Sequence, residues 1–161
     1  MATKKVFHGV PGILRLFKEF IGKSGLKKGD QIVYCGVPGT CTPFAELLAF
    51  AVRSLEPEQI FIPFVDERRA IKIGYVDDVG MQARMAPVKL NPKAIVIMGG
   101  LSIPDIPVKA EQVKSVIDRH PGAVVIGVCF MHIFEKAGWL STISFDYLID
   151  ATIDPVEITL K

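Results

Sequence analysis

Five short runs, QIVYC (Gln31 to Cys35), IFIPFV (Ile60 to Val65), AIVIM (Ala94 to Met98), AVVIGV (Ala123 to Val128) and DYLIDA (Asp146 to Ala151), constrain this chain most. Most are continuous in Val, Ile and other apolar residues, where a half-exposed strand would alternate apolar with polar, so both faces must be covered. Between them lie stretches of helical period. Ile13, Leu16, Phe17, Phe20 and Ile21 recur at that spacing after Pro11, as do Phe44, Leu47, Leu48, Ala51 and Val52 between Pro43 and Arg53. Further helices are expected near Val108 to Arg119 and Met131 to Ala137. Strand and helix in alternation predict a three-layer, doubly wound α/β fold, Rossmann-like or flavodoxin-like, on a mostly parallel sheet of about five strands.

The stretch from Asp66 to Pro92 has no single period, and it reads as loop, then a helix or hairpin, then loop. Nothing in it is linker-like, so the 161 residues are expected to form one domain. "GVPG" occurs at Gly9 to Gly12 and again at Gly36 to Gly39, each before a helix, where Pro-Gly suits the centre of a type II turn.

In open α/β sheets ligands lie beyond the carboxyl ends of the strands. Three segments meet there: Gly36 to Pro43, Gly99 to Asp105 and Cys129 to His132. All three cysteines, Cys35, Cys41 and Cys129, fall in or beside them. Gly36, Gly39, Thr40, Thr42, Gly99, Gly100, Ser102 and Cys129 are therefore the expected ligand-binding residues. Thr42 is placed to cap a helix with Pro43 at its first position, and Glu46 to add charge near that end. The loop has neither the spacing and lysine of a triphosphate-binding P-loop nor the G-x-G-x-x-G of a dinucleotide site, and no motif names a cofactor.

Cys41, beside that helix start, is a candidate nucleophile, since the positive end of a helix favours the thiolate; His132 is the candidate base. Against this stands the habit of free cysteines to pack as small hydrophobes. No dedicated metal site is expected. The alternative quartet Cys35, Cys41, Cys129 and His132 offers soft ligands, but with the third strand between the first and fourth, Cys35 and Cys129 would start two strand spacings apart, about 9–10 Å. Ser102 fails the nucleophile-elbow pattern because Pro104 stands where glycine is needed. Asp105 suits a helix cap, the run from Asp66 to Arg69 a solvated loop, and His8 and His120 surface roles.

Nineteen basic and seventeen acidic residues leave a net charge of +2, with no basic tract to follow a phosphate backbone, so nucleic acid is not an expected partner. No apolar stretch approaches the ~20 residues that cross a bilayer, and a chain with three cysteines and no leader pattern fits the reducing cytoplasm. On the helix from Pro43 to Arg53, Phe50 points away from the core face and Ala45 and Ala49 flank it. A helix apolar on two sides is covered by its own chain or by a partner, and a homodimer is expected.

The segments "YCGVPGTCTPFAELLAFAVR" (Tyr34 to Arg53), "IMGGLSIP" (Ile97 to Pro104) and "GVCFMHIFEKAGW" (Gly127 to Trp139) resemble a small archaeal family, mainly from methanogens, a domain of unknown function. The resemblance spans nearly the whole chain and implies a cytosolic anaerobic setting with thiols kept reduced or bound to iron. It carries over no catalytic residue, substrate or cofactor. The readings from residues are thus three: binding of a small anionic or polar molecule at the carboxyl edge, a thiol- or metal-dependent enzyme using Cys41 with Cys129 and His132, or a non-catalytic subunit of a complex.

Overall fold

The structure, a computed structural model, describes residues 4–160. Its elements in chain order are α1 (Gly9–Lys23), β1 (Gln31–Gly36), α2 (Thr42–Ala51), β2 (Glu58–Pro63), β3 (Ile71–Val76), β4 (Gly80–Arg84), β5 (Pro92–Met98), α3 (Ala110–Asp118), β6 (Val124–Phe130), α4 (Ile133–Lys136) and β7 (Tyr147–Ala151). One sheet of seven strands runs β4-β3-β2-β1-β5-β6-β7. β2, β1, β5, β6 and β7 are mutually parallel, while β3 and β4 join as an antiparallel hairpin beside β2. The α/β class and the five parallel strands are as expected, and the count of seven corrects the expected five.

The two added strands come from the segment without a clear period. The turn Asp77 to Gly80 reverses the chain with Asp78 at φ 61° and Gly80 at φ 101°, which only a turn demands. Tyr75 and Val79 face solvent there, so the apolar continuity that marks a doubly covered strand is missing.

Among the parallel strands the order is 2-1-3-4-5, a doubly wound order that reverses between β1 and β5. Right-handed crossovers then carry α2 to one face and α3 and α4 to the other. Strand alternation agrees: the Tyr34 ring lies 6.1 Å from Phe17 of α1, and Tyr147 stacks on Phe20 of α1 at 4.2 Å. Tyr34 and Gly36 thus face α1 and α2, and Cys35 faces the opposite layer. The buried Tyr34 hydroxyl donates to Gln59 Oε1 (2.7 Å), and Gln59 Nε2 donates to the Ala49 carbonyl (2.9 Å), pinning α2 to the sheet.

The buried face of α2 is Ala45, Leu48 and Ala49, with Val52 just beyond, rotated from the expected stripe of Phe44, Leu47, Leu48, Ala51 and Val52. α2 sits between α1 and the β3–β4 hairpin, so part of its second apolar side is covered by its own chain. Glu46 accepts the Ala83 N–H at 3.2 Å, tying that hairpin down; this is its role in place of helix-end charge. The Arg53 guanidinium lies 3.6 Å from the centre of the Phe50 ring.

The first "GVPG" forms the opening turn of α1, while the second is the expected tight turn, with Gly39 at φ 80°. Lys109 and Gln112, whose Oε1 accepts the Lys109 N–H at 2.7 Å, begin α3 in place of Asp105. Glu67 accepts from Arg119 (2.8 Å) and bonds His120 Nε2 (2.8 Å), so neither Glu67 nor His120 is a bland surface group. Among the described residues no helix is long and apolar enough to cross a membrane.

Candidate functional site

The reversal between β1 and β5 leaves room at the carboxyl rim, because the chain departs from the two strands toward opposite faces. A cleft of about 160 Å³ opens there, lined by Thr40, Cys41 and Phe44 from the first crossover, Met98, Gly99, Gly100 and Ile103 from the second, and Val128, Phe130 and Ile133 from the third. Its walls are mainly aliphatic and aromatic, and the Phe44 and Phe130 rings meet at 4.8 Å. The hydroxyl of exposed Thr40 is its one polar side chain apart from the Cys41 thiol.

Close approach of the crossovers explains the glycines. A Cβ on Gly99 would lie 2.5 Å from Cys129 Cβ and 2.9 Å from Ile133 Cγ2, and one on Gly100 would collide with Cys41 Sγ. A Cβ on Gly36 would lie 2.6 Å from Cys41 Cβ. Gly36 is a buried packing position, and Gly39 serves the turn.

Cys41, not Thr42, holds the cap position of α2, and no side-chain cap bond forms. The Cys41 N–H donates to the Val37 carbonyl (2.8 Å), the Cys41 carbonyl accepts from Ala45 N–H (2.9 Å), and the Thr42 hydroxyl accepts from Gly39 N–H (3.2 Å). Thr42 therefore closes the loop and leaves the helix uncapped. Ser102 is buried and donates to the Gly99 carbonyl at 2.8 Å, closing a 3-10 turn.

Burial pushes the Cys41 thiol above its ordinary value, against the N–H groups of Val37 and Gly100, which favour the thiolate. The direction is opposite to that expected from the helix end, since Cys41 is 4% exposed and a thiolate there would be desolvated. Burial, with the Glu67 charge second, pushes Cys35 up to about 12. Burial, then the Asp150 carboxylate beside it, pushes Cys129 up to about 12, against the N–H groups of Phe134 and Ile133. All three thiols are free, buried and protonated at neutral pH. Native protein is therefore expected to resist a bulky aromatic disulfide reagent at pH 8 and to release three equivalents of thiol on denaturation; rapid reaction of one native thiol would contradict this burial.

His132 does not pair with Cys41. Its Nδ1 bonds Asp150 Oδ2 at 2.7 Å, and its backbone N–H donates to Asp150 Oδ1 at 3.1 Å. The β6–β7 register sets Asp150 level with Cys129, which brings carboxylate, thiol and imidazole together at the rim. Met131 and His132 both adopt left-handed backbone, φ 56° and 60°, a conformation that costs non-glycine residues energy. The Asp150 clamp offsets that cost and leaves Nε2 outward.

Of the expected ligand residues, the fold brings Thr40, Gly99 and Gly100 to the cleft together with Cys41, and leaves Gly36, Gly39, Thr42, Ser102, Cys129 and His132 off its lining. The quartet Cys35, Cys41, Cys129 and His132 is not assembled, because β5 separates β1 from β6 and Cys35 faces away from the layer that holds Cys41. Among the described residues no group of three or more His, Cys, Asp or Glu side chains is arranged to hold a metal ion. Sequence reasoning missed Phe44, Phe130, Ile133 and Asp150. The first three have apolar spacing that reads as core, and Asp150 carries a signal only as a charge at the carboxyl end of a strand.

The chain is similar over most of its length to uncharacterised proteins of methanogens. One from Methanocaldococcus jannaschii is 38% identical over 146 residues, 91% of this chain and 87% of the relative. Another from Methanothermobacter thermautotrophicus is 37% identical over 157 residues, 96% of each. A crystal structure of a protein of unknown function from M. thermautotrophicus matches with TM-score 0.86 and 34% identity, covering 99% of this chain and 98% of that one. Residues 8–154 match the family described as uncharacterised proteins conserved in archaea (DUF2124), and the chain belongs to that family.

Proposed function

We propose that this protein binds a small molecule in the cleft between the carboxyl ends of β1 and β5. The observation that carries the reading is the coincidence of an apolar, preformed cleft with the one place where the parallel strand order reverses. A volume of about 160 Å³ sets the size. Dry cavities of about 150 Å³ hold a single benzene ring, so the buried part of the ligand is one ring or an equivalent branched chain. Phe44 and Phe130 offer it aromatic faces, and a polar or anionic substituent finds the Thr40 hydroxyl at the mouth.

Binding is tested with single-ring probes: benzoate, nicotinate and phenyl phosphate at millimolar concentration, followed by thermal melting. At ten times its dissociation constant a probe stabilises by about 1.4 kcal/mol, about 3–6 °C for a chain of this size. Thr40→Trp, which covers the mouth from an exposed position, is expected to abolish the shift. Absence of any saturable shift, or one indifferent to Thr40→Trp, would refute the cleft as the site.

A second reading, that the bound molecule is a substrate, draws on the clamp of Asp150 on His132, which lies outside the cleft lining and next in sequence to Ile133 of its wall. Orienting one imidazole nitrogen by a carboxylate while freeing the other is how proton-transfer histidines are held. His132→Ala would then leave probe binding intact and remove turnover.

A further inference from the structure

The chain beyond β7 has a pattern that the fold leaves unused. Val156, Ile158 and Leu160 alternate with Glu157 and Thr159, the period of a strand with one apolar face. Every residue from Thr152 to Leu160 is exposed, and the three aliphatic side chains are 82–83% exposed. Water is an unfavourable setting for that face. Because β7 is parallel to β6, this tail leaves the sheet at the carboxyl rim, the same rim at which the cleft opens.

The tail starts inward. Met131 N–H donates to the Ala151 carbonyl at 2.9 Å, and Ile153 N–H donates to Met131 Sδ at 3.4 Å, so two residues past β7 the chain runs beside the end of β6, away from the open edge of the sheet. Phe130 and Ile133, on either side of Met131 in sequence, are walls of the cleft. The reach is sufficient. β7 stands two and a half strand spacings from the line between β5 and β1, about 12 Å, and the five residues from Ala151 to Val156 span up to about 18 Å.

We infer that Val156–Leu160 folds over the mouth of the cleft as a lid, with Val156, Ile158 and Leu160 inward and Glu157 and Thr159 in water. The lid rests on the reading of the cleft as the binding site. The structure holds the open form, in which the apolar walls and the apolar side of the tail both face solvent at one rim, and closure buries each against the other. A ring bound in the cleft adds apolar surface beneath the lid, so binding and closure favour one another, and the closed lid keeps water from the ligand. Alternation suits this use: a tail apolar on both sides would stay exposed when closed, and a polar one would gain nothing.

Disulfide trapping tests closure with or without a ligand. Thr40 and Ile158 are exposed, the first at the cleft mouth and the second in the tail. In Thr40→Cys/Ile158→Cys, mild oxidation is expected to join the two new thiols within one molecule. Val79→Cys/Ile158→Cys is the control, expected to form no such bond, because β3 runs antiparallel to β2 and the turn at Val79 therefore lies at the opposite end of the sheet. Benzoate reads the consequence for binding: Ile158→Asp, which alters no core residue, is expected to raise its dissociation constant at least fivefold over wild type. No bond between positions 40 and 158, a bond formed only between molecules, or benzoate binding indifferent to Ile158→Asp would each overturn the lid. A wild type without a saturable benzoate shift refutes the cleft as a binding site instead, and the disulfide result still decides where the tail lies.

Discussion

Stability of this protein is expected to fall steeply above pH 9, and two thiols supply much of the slope. Cys35 and Cys129 are 0% and 1% exposed and pushed from an ordinary value of 9.0 up to about 12. An acid whose pKa is higher folded than unfolded keeps its proton longer in the native state, so unfolding releases protons between the two values. The stabilisation is complete below about pH 9 and is lost as pH rises toward 12, at about 1.4 kcal/mol per pH unit for each thiol. By pH 10 the two together remove about 3 kcal/mol from a total that for such domains is about 5–15 kcal/mol. Burial shifts Tyr34 upward as well, adding a loss of the same sign at higher pH. The measurement is the change in urea midpoint from pH 8 to pH 10, in wild type and in Cys35→Ala/Cys129→Ala. The double variant starts less stable and should lose much less over that interval. Equal losses would mean that these thiols ionise as easily folded as unfolded.

Gly100→Ala and Gly36→Ala are each expected to destabilise the protein, and Cys41→Ala should rescue only the first. The added methyl at position 100 meets Cys41 Sγ, an atom that alanine removes. At position 36 it meets Cys41 Cβ at 2.6 Å, an atom that alanine keeps, and more distantly Cys41 Sγ at 3.2 Å and Phe61 Cε2 at 3.3 Å, so alanine at 41 leaves the severest clash in place. Overpacking of this kind costs about 1–3 kcal/mol, the upper end applying at Gly36, where the obstacle is fixed to the start of α2. In a double-mutant cycle the 41/100 pair should couple by about 1–2 kcal/mol and the 41/36 pair by much less. Equal coupling in the two cycles would show that α2 shifts as a body and that the glycines do not set its distance from the sheet. The same atoms form a wall of the cleft, so Gly100→Ala is also a probe of its shape.

Most of the layered architecture can be read directly from residues, since a continuous run such as Ile95-Val96-Ile97 admits only a strand covered on both sides. The hairpin β3–β4 escapes that reading because Lys72, Tyr75 and Val79 mix polar with exposed apolar positions, as an edge strand does. Thr40, Cys41, Gly99 and Gly100 were legible as rim residues through their place after strands, and they line the cleft; the Phe44 and Phe130 walls were not legible, because a cleft lining and a core have the same composition.

By itself the sequence determined the alternation of strand and helix, the burial of the five parallel strands and the rim at which loops with cysteine and glycine emerge. These follow from local periodicity, a property of neighbours along the chain. Only the tertiary structure decided that the strand order reverses between β1 and β5, that burial holds the thiols protonated, and that Asp150 takes His132. Each depends on strand order and register, which bring together residues as far apart as Cys41 and Gly100. No local pattern encodes that distance, because many pairings would bury the same apolar runs equally well.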